Sequence, residues 1–138
     1  MDLKFIRLLL LMLFPLLGIQ GSYNFVGAQE SEPESYRPPQ VTSIKIGPHP
    51  IYTRILVNLT EPIFYEVKAD FANKRVKLIL PDAVKGLRVR NRKFNDKNLE
   101  QYLVRSSRNE LEVTFVLKNQ NTRFFHSMNS QKPQIIFD

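Results

Sequence analysis

The chain has no cysteine, two histidines and five glycines in 138 residues. Without cysteine, structural disulfides and a lipid-modified cysteine anchor are both excluded. An exported domain must then be held by its core alone. A catalytic zinc site takes three protein ligands at fixed geometry. His49 and His126 lie far apart, no HExxH-type pair occurs, and a third ligand would have to be a carboxylate. A nucleophile–base arrangement needs a Ser or Thr near one of these histidines and a carboxylate behind it; nothing in the local sequence suggests one. Beside strands, such histidines read as satisfied surface or edge residues. No glycine-rich phosphate loop is present. We therefore expect no catalytic residue, no metal and no cofactor, and a chain that is not an enzyme.

Long hydrophobic runs are also lacking. Leu8 to Ile19 is apolar for twelve residues with Pro15 inside it, short of the roughly 20 that a spanning helix needs. With Lys4 and Arg7 before it and Val26-Gly27-Ala28 after it, the layout is that of a secretory signal peptide covering residues 1–28. Cleavage after Ala28 makes the chain periplasmic; a cut after Gly21 would change little. Retention of this segment would make it a membrane anchor. Residues 29–40, acidic and then proline-rich, read as a flexible linker. About 110 residues remain after cleavage, enough for one domain with a modest core, placed at 41–138.

The formal net charge is +7. After cleavage, 18 basic and 12 acidic residues leave +6. A basic surface attracts polyanions: nucleic acid, anionic headgroups or acidic wall polymer. Export removes nucleic acid from that set, and the membrane enters only if the N-terminal segment is uncleaved.

What the chain does have is an internal repeat, the feature that most constrains architecture. Residues Thr53 to Leu80 and Leu111 to Asp138 follow one plan. At a shift of 58, Ile55, Val57 and Leu59 fall on Val113, Phe115 and Leu117, Val67 on Phe125, and Ile44 and Ile46 on Tyr102 and Val104. One inserted residue later, a shift of 59 places Val76 and Leu78 on Ile135 and Phe137. The period is too long for a solenoid repeat, so two pseudo-symmetric halves closing on each other are expected. The last strand, ending at Asp138, is expected to complete the domain. Exposed positions diverge, Arg54 matching Glu112 and Arg75 matching Gln134. The symmetry therefore belongs to the core, and a binding face is sought in the first half and the basic join after it.

Strands are expected at Val41 to Ile46, Tyr52 to Thr60, Ile63 to Ala69 and Val76 to Leu80, then at Tyr102 to Val104, Leu111 to Leu117, Thr122 to Phe125 and Gln134 to Phe137. Gly47-Pro-His-Pro50 should turn the chain and end the first of them. Thr53, Ile55, Val57 and Leu59 alternate with Arg54, Leu56 and Asn58, the pattern of a half-buried antiparallel strand. In the join, Leu87 and Val89 alternate with Arg88, Arg90 and Arg92. From Asp96 to Val104, helical spacing of Leu99, Tyr102 and Leu103 competes with the strand that the repeat requires; a turn and then a strand is the favoured reading. Asn58-Leu-Thr60 matches a glycosylation acceptor inside a strand. All this reads as all-β, a small β-sandwich of eight or nine short strands.

Ile44 to Leu59 (IKIGPHPIYTRILVNL), Tyr65-Glu-Val, Lys74 to Pro81 (KRVKLILP), and in the second half Val104-Arg105, Leu111 to Leu117 and Ile135 to Asp138 together resemble the AMIN domain. The resemblance covers Val41 to Asp138. Ile79 stands where an aspartate is common, and Pro133 and Gln134 where a basic residue is frequent. The resemblance implies a periplasmic, two-sheet symmetric sandwich of the kind found ahead of cell-wall amidases and type IV pilus secretins. It implies binding of peptidoglycan and targeting of an envelope assembly, here through a partner or alone. It also carries over three candidate contacts: Arg54 in a Thr-Arg pair, Arg75 in an Arg-Val pair and Arg105 in a Val-Arg pair.

Guanidinium groups hold carboxylates bidentately and rings pack on sugar faces, which is what a peptidoglycan binder needs. Charge alone adds Arg88, Arg90 and Arg92, and aromatic character adds Tyr52 and Tyr65. Each arginine also reads as part of a solvated sheet face. The expected partners are peptidoglycan and a secretin, pilus component or cell-wall amidase. Two other readings stand beside this one: an adaptor pairing with such a component through an edge strand, and a basic protein anchored at the membrane surface.

Overall fold

Period-two patterning becomes ten strands and no helix in residues 35–138, the part of the chain that the computed structural model describes. The signal-peptide reading of 1–28 and the first part, 29–34, of the linker reading of 29–40 lie outside the described residues, while Gln40 already belongs to the first strand. The strands are β1 (Gln40–Pro48), β2 (Thr53–Leu59), β3 (Glu66–Asp70), β4 (Arg75–Pro81), β5 (Val84–Lys85), β6 (Arg92–Lys93), β7 (Leu99–Ser106), β8 (Glu110–Leu117), β9 (His126–Asn129) and β10 (Gln134–Phe137). They form two five-stranded sheets, ordered β5-β1-β2-β10-β9 and β3-β4-β8-β7-β6.

The repeat is built by exchange. The hairpin β1-β2 takes β10-β9 of the second half beside it, while β7-β8 of the second half takes β4-β3 of the first. Neither half is a sheet without the other. The register repeats with the sequence: Ile55 lies opposite Phe137 as Val113 lies opposite Leu78, and Val57 opposite Ile135 as Phe115 opposite Val76.

One detail of the repeat is corrected. Val67 pairs with Leu78, and its counterpart by register is His126, opposite Phe137, rather than Phe125. The extra residue therefore falls before β9, which runs over His126–Asn129 and not over Thr122 to Phe125. Phe124, freed from the ladder, turns its ring onto Phe71, His126 and Phe137 at centroid distances of 6.0, 6.1 and 6.0 Å.

The core is a layer of aliphatic and aromatic side chains from the inner faces. In β2, Thr53, Ile55, Val57 and Leu59 are all buried, as their alternation requires. Val76, Leu78 and Leu80 of β4 and Leu111, Val113, Phe115 and Leu117 of β8 meet them from the other sheet. Phe115 and Phe137 touch across the interior with centroids 5.2 Å apart.

The count exceeds eight or nine because the join supplies two edge strands. β5 lies parallel to β1, and β6 antiparallel to β7, so the join passes from the edge of one sheet to the edge of the other. Gly86 makes this possible: its amide bonds the Val41 carbonyl at 2.9 Å, an approach that leaves no room for a side chain. Val89 is buried as expected, but Leu87 is 94% exposed. The turn at Gly86 to Arg88 breaks the alternation that the sequence suggests there.

β1 also runs two residues further than Ile46. Gly47 and Pro48 stay opposite Arg54 and Thr53, with proline at the last strand position, where its missing N–H costs the ladder least. At the start of the second half no helix forms. One carboxylate oxygen of Asp96 accepts hydrogen bonds from the Asn98 and Leu99 amides at 2.9 and 3.0 Å, fixing a turn from which β7 departs at Leu99.

Candidate binding surfaces

The eight candidate side chains are spread over both sheets, one edge and one seam. Arg54 projects from the outer face of the first sheet, where Nε and Nη2 donate to the two oxygens of Asp138 at 2.6 and 2.7 Å. Its guanidinium also lies 5.5 Å from the ring centroid of Tyr52, which stacks on His49 at 4.2 Å. This bidentate geometry is the one proposed for a wall carboxylate, and here a side chain of the same domain takes it. Asp138 is the counterpart of Ile79, and Arg54 of Glu112. In the other half, Glu112 turns instead to Lys77 at 3.2 Å and to the Thr114 hydroxyl at 3.1 Å.

Arg75 and Arg105 face outward on the second sheet, opposite the sheet that bears Arg54. Arg75 lies opposite Asp70 and Val116, and Arg105 opposite Glu112, in rows four residues apart along β8. Tyr65 is on the seam between β3 and β9, its hydroxyl 3.0 Å from His126 Nδ1. Partial burial pushes the Tyr65 phenol up from its ordinary value. Tyr52 thus joins Arg54, while Tyr65 does not.

The remaining three gather. Arg88 and Arg90 lie exposed in the join, and Arg92 opens β6 with its guanidinium 5.2 Å from the Phe94 centroid. Lys85 and Lys93 belong to the same strap. Between Ser35 and Asp138 the chain holds 18 basic and 9 acidic residues, a net +9. Among the described residues, ion pairs engage only Arg54, Lys68 and Lys77. The cations of the strap are therefore free of carboxylate partners there, and their charge is unspent.

Sequence reasoning missed two neighbours of this strap. Beside β5 lies a cleft of about 290 Å³ lined by Lys85, Ser106, Ser107, Arg108 and the exposed ring of Tyr36. Arg108 sits in the β7–β8 turn, and only the pairing of the two halves brings it to Lys85. No period in the sequence signals that contact. With Asp82 as the one carboxylate in its lining, the cleft offers two cations against one anion, hydroxyl donors and a ring, a set that can meet carboxylates and sugar faces.

The acceptor pattern at Asn58 is not a free surface amide. Asn58 donates to Ser43 Oγ at 2.8 Å and accepts from Gln134 Nε2 at 2.6 Å, within a polar row across three strands.

Carboxylates hold the frame electrostatically. Partial burial opposes ionisation of Asp96, but hydrogen bonds from the Thr53 hydroxyl and the Asn98, Leu99 and Lys97 amides outweigh it and keep its pKa low. Glu112 is likewise partly desolvated, yet Lys77 and Thr114 hold it below its usual value; the hydrogen bonds from Arg54 do the same for Asp138. A carboxylate whose folded pKa is depressed adds stability above its unfolded pKa and loses it as pH falls through the folded one. Stability should therefore be level above about pH 5 and fall steadily below about pH 4. Urea denaturation across that range checks this. Asp96→Asn should lower stability at neutral pH and flatten part of the acid decline; an unchanged slope would show that the turn does not depend on the charge.

No family model, no curated protein and no solved structure matches this chain.

Proposed function

We propose that this chain is an exported, non-catalytic binding module that holds peptidoglycan on its basic side and so localises an envelope assembly. The observation that supports this reading is the strap Val84–Lys93. It carries Lys85, Arg88, Arg90, Arg92 and Lys93 without an ion pair among the described residues, beside the cleft that Arg108 and Tyr36 complete. Adjacent unpaired cations repel one another, and a polyanion relieves that repulsion on binding. Stem-peptide carboxylates supply the anions, and guanidinium groups meet them in the fork geometry that an ammonium lacks. The sequence resemblance to AMIN domains and the signal-peptide layout support a periplasmic setting for this binding. Within the reading, Arg54 serves the frame, and Arg88, Arg90 and Arg92 serve the ligand.

Co-sedimentation of the mature domain with purified sacculi over a salt series tests it. The domain should pellet at low salt and retain part of its binding at high salt, since bidentate contacts outlast screened charge. At about 1 kcal/mol or more per lost charge-assisted contact, replacing Arg88, Arg90 and Arg92 with glutamine should weaken binding by tenfold or more. The same charge removed at Lys68, Lys118 and Lys132 should have a much smaller effect. Failure to pellet at low salt sinks the proposal.

An adaptor acting through an edge strand finds support in one feature: β3 and β9 are the outermost strands of their sheets on the side away from the strap. Lys68 in β3 discourages indiscriminate pairing at that edge.

A further inference from the structure

The strap exposes an apolar side chain that its cations do not explain. Leu87 is 94% exposed, more than any other large hydrophobic residue among those described. The backbone imposes this position. Burial in the strap falls on every third residue: Ala83, Gly86 and Val89 face inward, while Val84-Lys85, Leu87-Arg88 and Arg90-Asn91 face out. The Gly86 amide is fixed on the Val41 carbonyl, and the Val89 amide closes back onto the Gly86 carbonyl at 3.0 Å. Leu87 and Arg88 are the two central residues of the turn so formed. With Val89 1% exposed behind it, the turn presents both side chains to solvent.

A single exposed leucine is common on protein surfaces. Leu87 differs in its company. Val84, three residues earlier, is 39% exposed, and the ring of Tyr36, 78% exposed, lines the cleft beside Val84. Lys85, Arg88, Arg90, Arg92 and Lys93 flank them, against Asp82 as the one carboxylate in residues 82–93. A side chain so exposed stands on a ridge and not in a groove. A protein partner would have to bring a pocket to receive it, and a sugar polymer offers it no apolar phase. A bilayer supplies that phase anywhere on its surface, without a matching shape, and anionic headgroups complement the surrounding charge.

We propose that the strap also docks on an anionic phospholipid bilayer, with Leu87 inserted at the interface and its cations on the lipid phosphates. Val84 and the amphipathic ring of Tyr36 then reach the headgroup level, where such rings collect. Guanidinium groups meet phosphate oxygens in the fork geometry. Apolar insertion and a basic patch, each weak alone, together give reversible attachment. This goes beyond wall binding and does not rest on it: a wall polymer needs the cations alone, and the bilayer needs Leu87. Because the cations are shared, the two surfaces compete for the strap.

Sedimentation with vesicles tests it, using the chain from Gln29, which keeps both sheets and the whole core. The domain should bind vesicles of phosphatidylglycerol and phosphatidylcholine in equal parts, and phosphatidylcholine alone much more weakly. Leu87→Ala should weaken binding by about tenfold, the scale of one leucine side chain, and Arg88→Gln by about fivefold. Because Leu87 is exposed, Leu87→Ala should leave the melting temperature and sacculus binding unchanged. The chain has no tryptophan, so Leu87→Trp adds a single reporter, whose emission should shift to shorter wavelength on the anionic vesicles. Equal vesicle binding by Leu87→Ala and the unmodified domain overturns the proposal, as does unshifted emission from Leu87→Trp. Absence of vesicle binding while sacculi still pellet overturns it and leaves the wall reading standing. Loss of sacculus binding in Leu87→Ala overturns it by assigning that side chain to the polymer. A dimer abolished by Leu87→Ala overturns it in favour of a second copy of the chain.

Discussion

Phe115→Ala is expected to be the most damaging single core substitution, costing about 3 to 5 kcal/mol through lost burial and the cavity it leaves. The ring is 1% exposed and touches Phe137 across the interior. A domain of this size has about 5 to 15 kcal/mol in total, so the loss is a large share of its stability. The melting temperature should fall by about 12 °C or more, at roughly 4 to 8 °C per kcal/mol. Val57→Ala at the symmetry mate removes fewer atoms and should cost less, although Val57 is equally buried. Thermal unfolding of the two variants side by side decides the matter. Equal losses would mean that the second half does not hold the denser part of the core.

Gly86→Ala is expected to follow, at about 2 to 4 kcal/mol from overpacking and broken backbone hydrogen bonds. A methyl group there would stand 2.5 Å from the Val41 carbonyl oxygen, and that neighbour is backbone with no rotamer to yield. β5 must then lift from β1, breaking Gly86 N–H to Val41 O at 2.9 Å and Val84 N–H to Pro39 O at 2.8 Å. The first sheet would lose its edge strand and the basic strap its anchor. The substitution therefore has two readouts: urea midpoints should drop, and sacculus binding should weaken even where the domain is fully folded. Stability within about 0.5 kcal/mol of the original, the range of a neutral surface change, would show that the strap is held by something other than this contact.

How far the sequence carries varies by element. The inner faces of β2, β4 and β8 are legible because burial on one side imposes alternation, and no other force produces period two so cleanly. Thr122 to Phe125 misleads because its alternation is that of an aromatic seam: Phe124 packs between the sheets, and the ladder begins two residues later at His126. The join misleads similarly. Leu87 and Val89 alternate like strand residues, but the turn required by Gly86 turns one of them outward. In the candidate surfaces, the charge run Arg88 to Arg92 is legible as a cluster because its members are sequence neighbours. Arg54 is not legible as a frame residue, since its partner Asp138 is 84 positions away. Arg108 is invisible for the same reason.

By itself the sequence determined that this is an all-β domain of two similar halves with a basic join, because core burial writes its period into each strand. It also determined the surplus of positive charge and the lack of disulfides. Only the tertiary structure decided that the halves exchange hairpins so that each sheet draws on both. Strand partners are chosen by contacts far apart in the chain, and alternation says which face a residue takes but not which strand lies beside it. The same exchange decided that Arg54 is spent on Asp138 and that the strap lies along one edge.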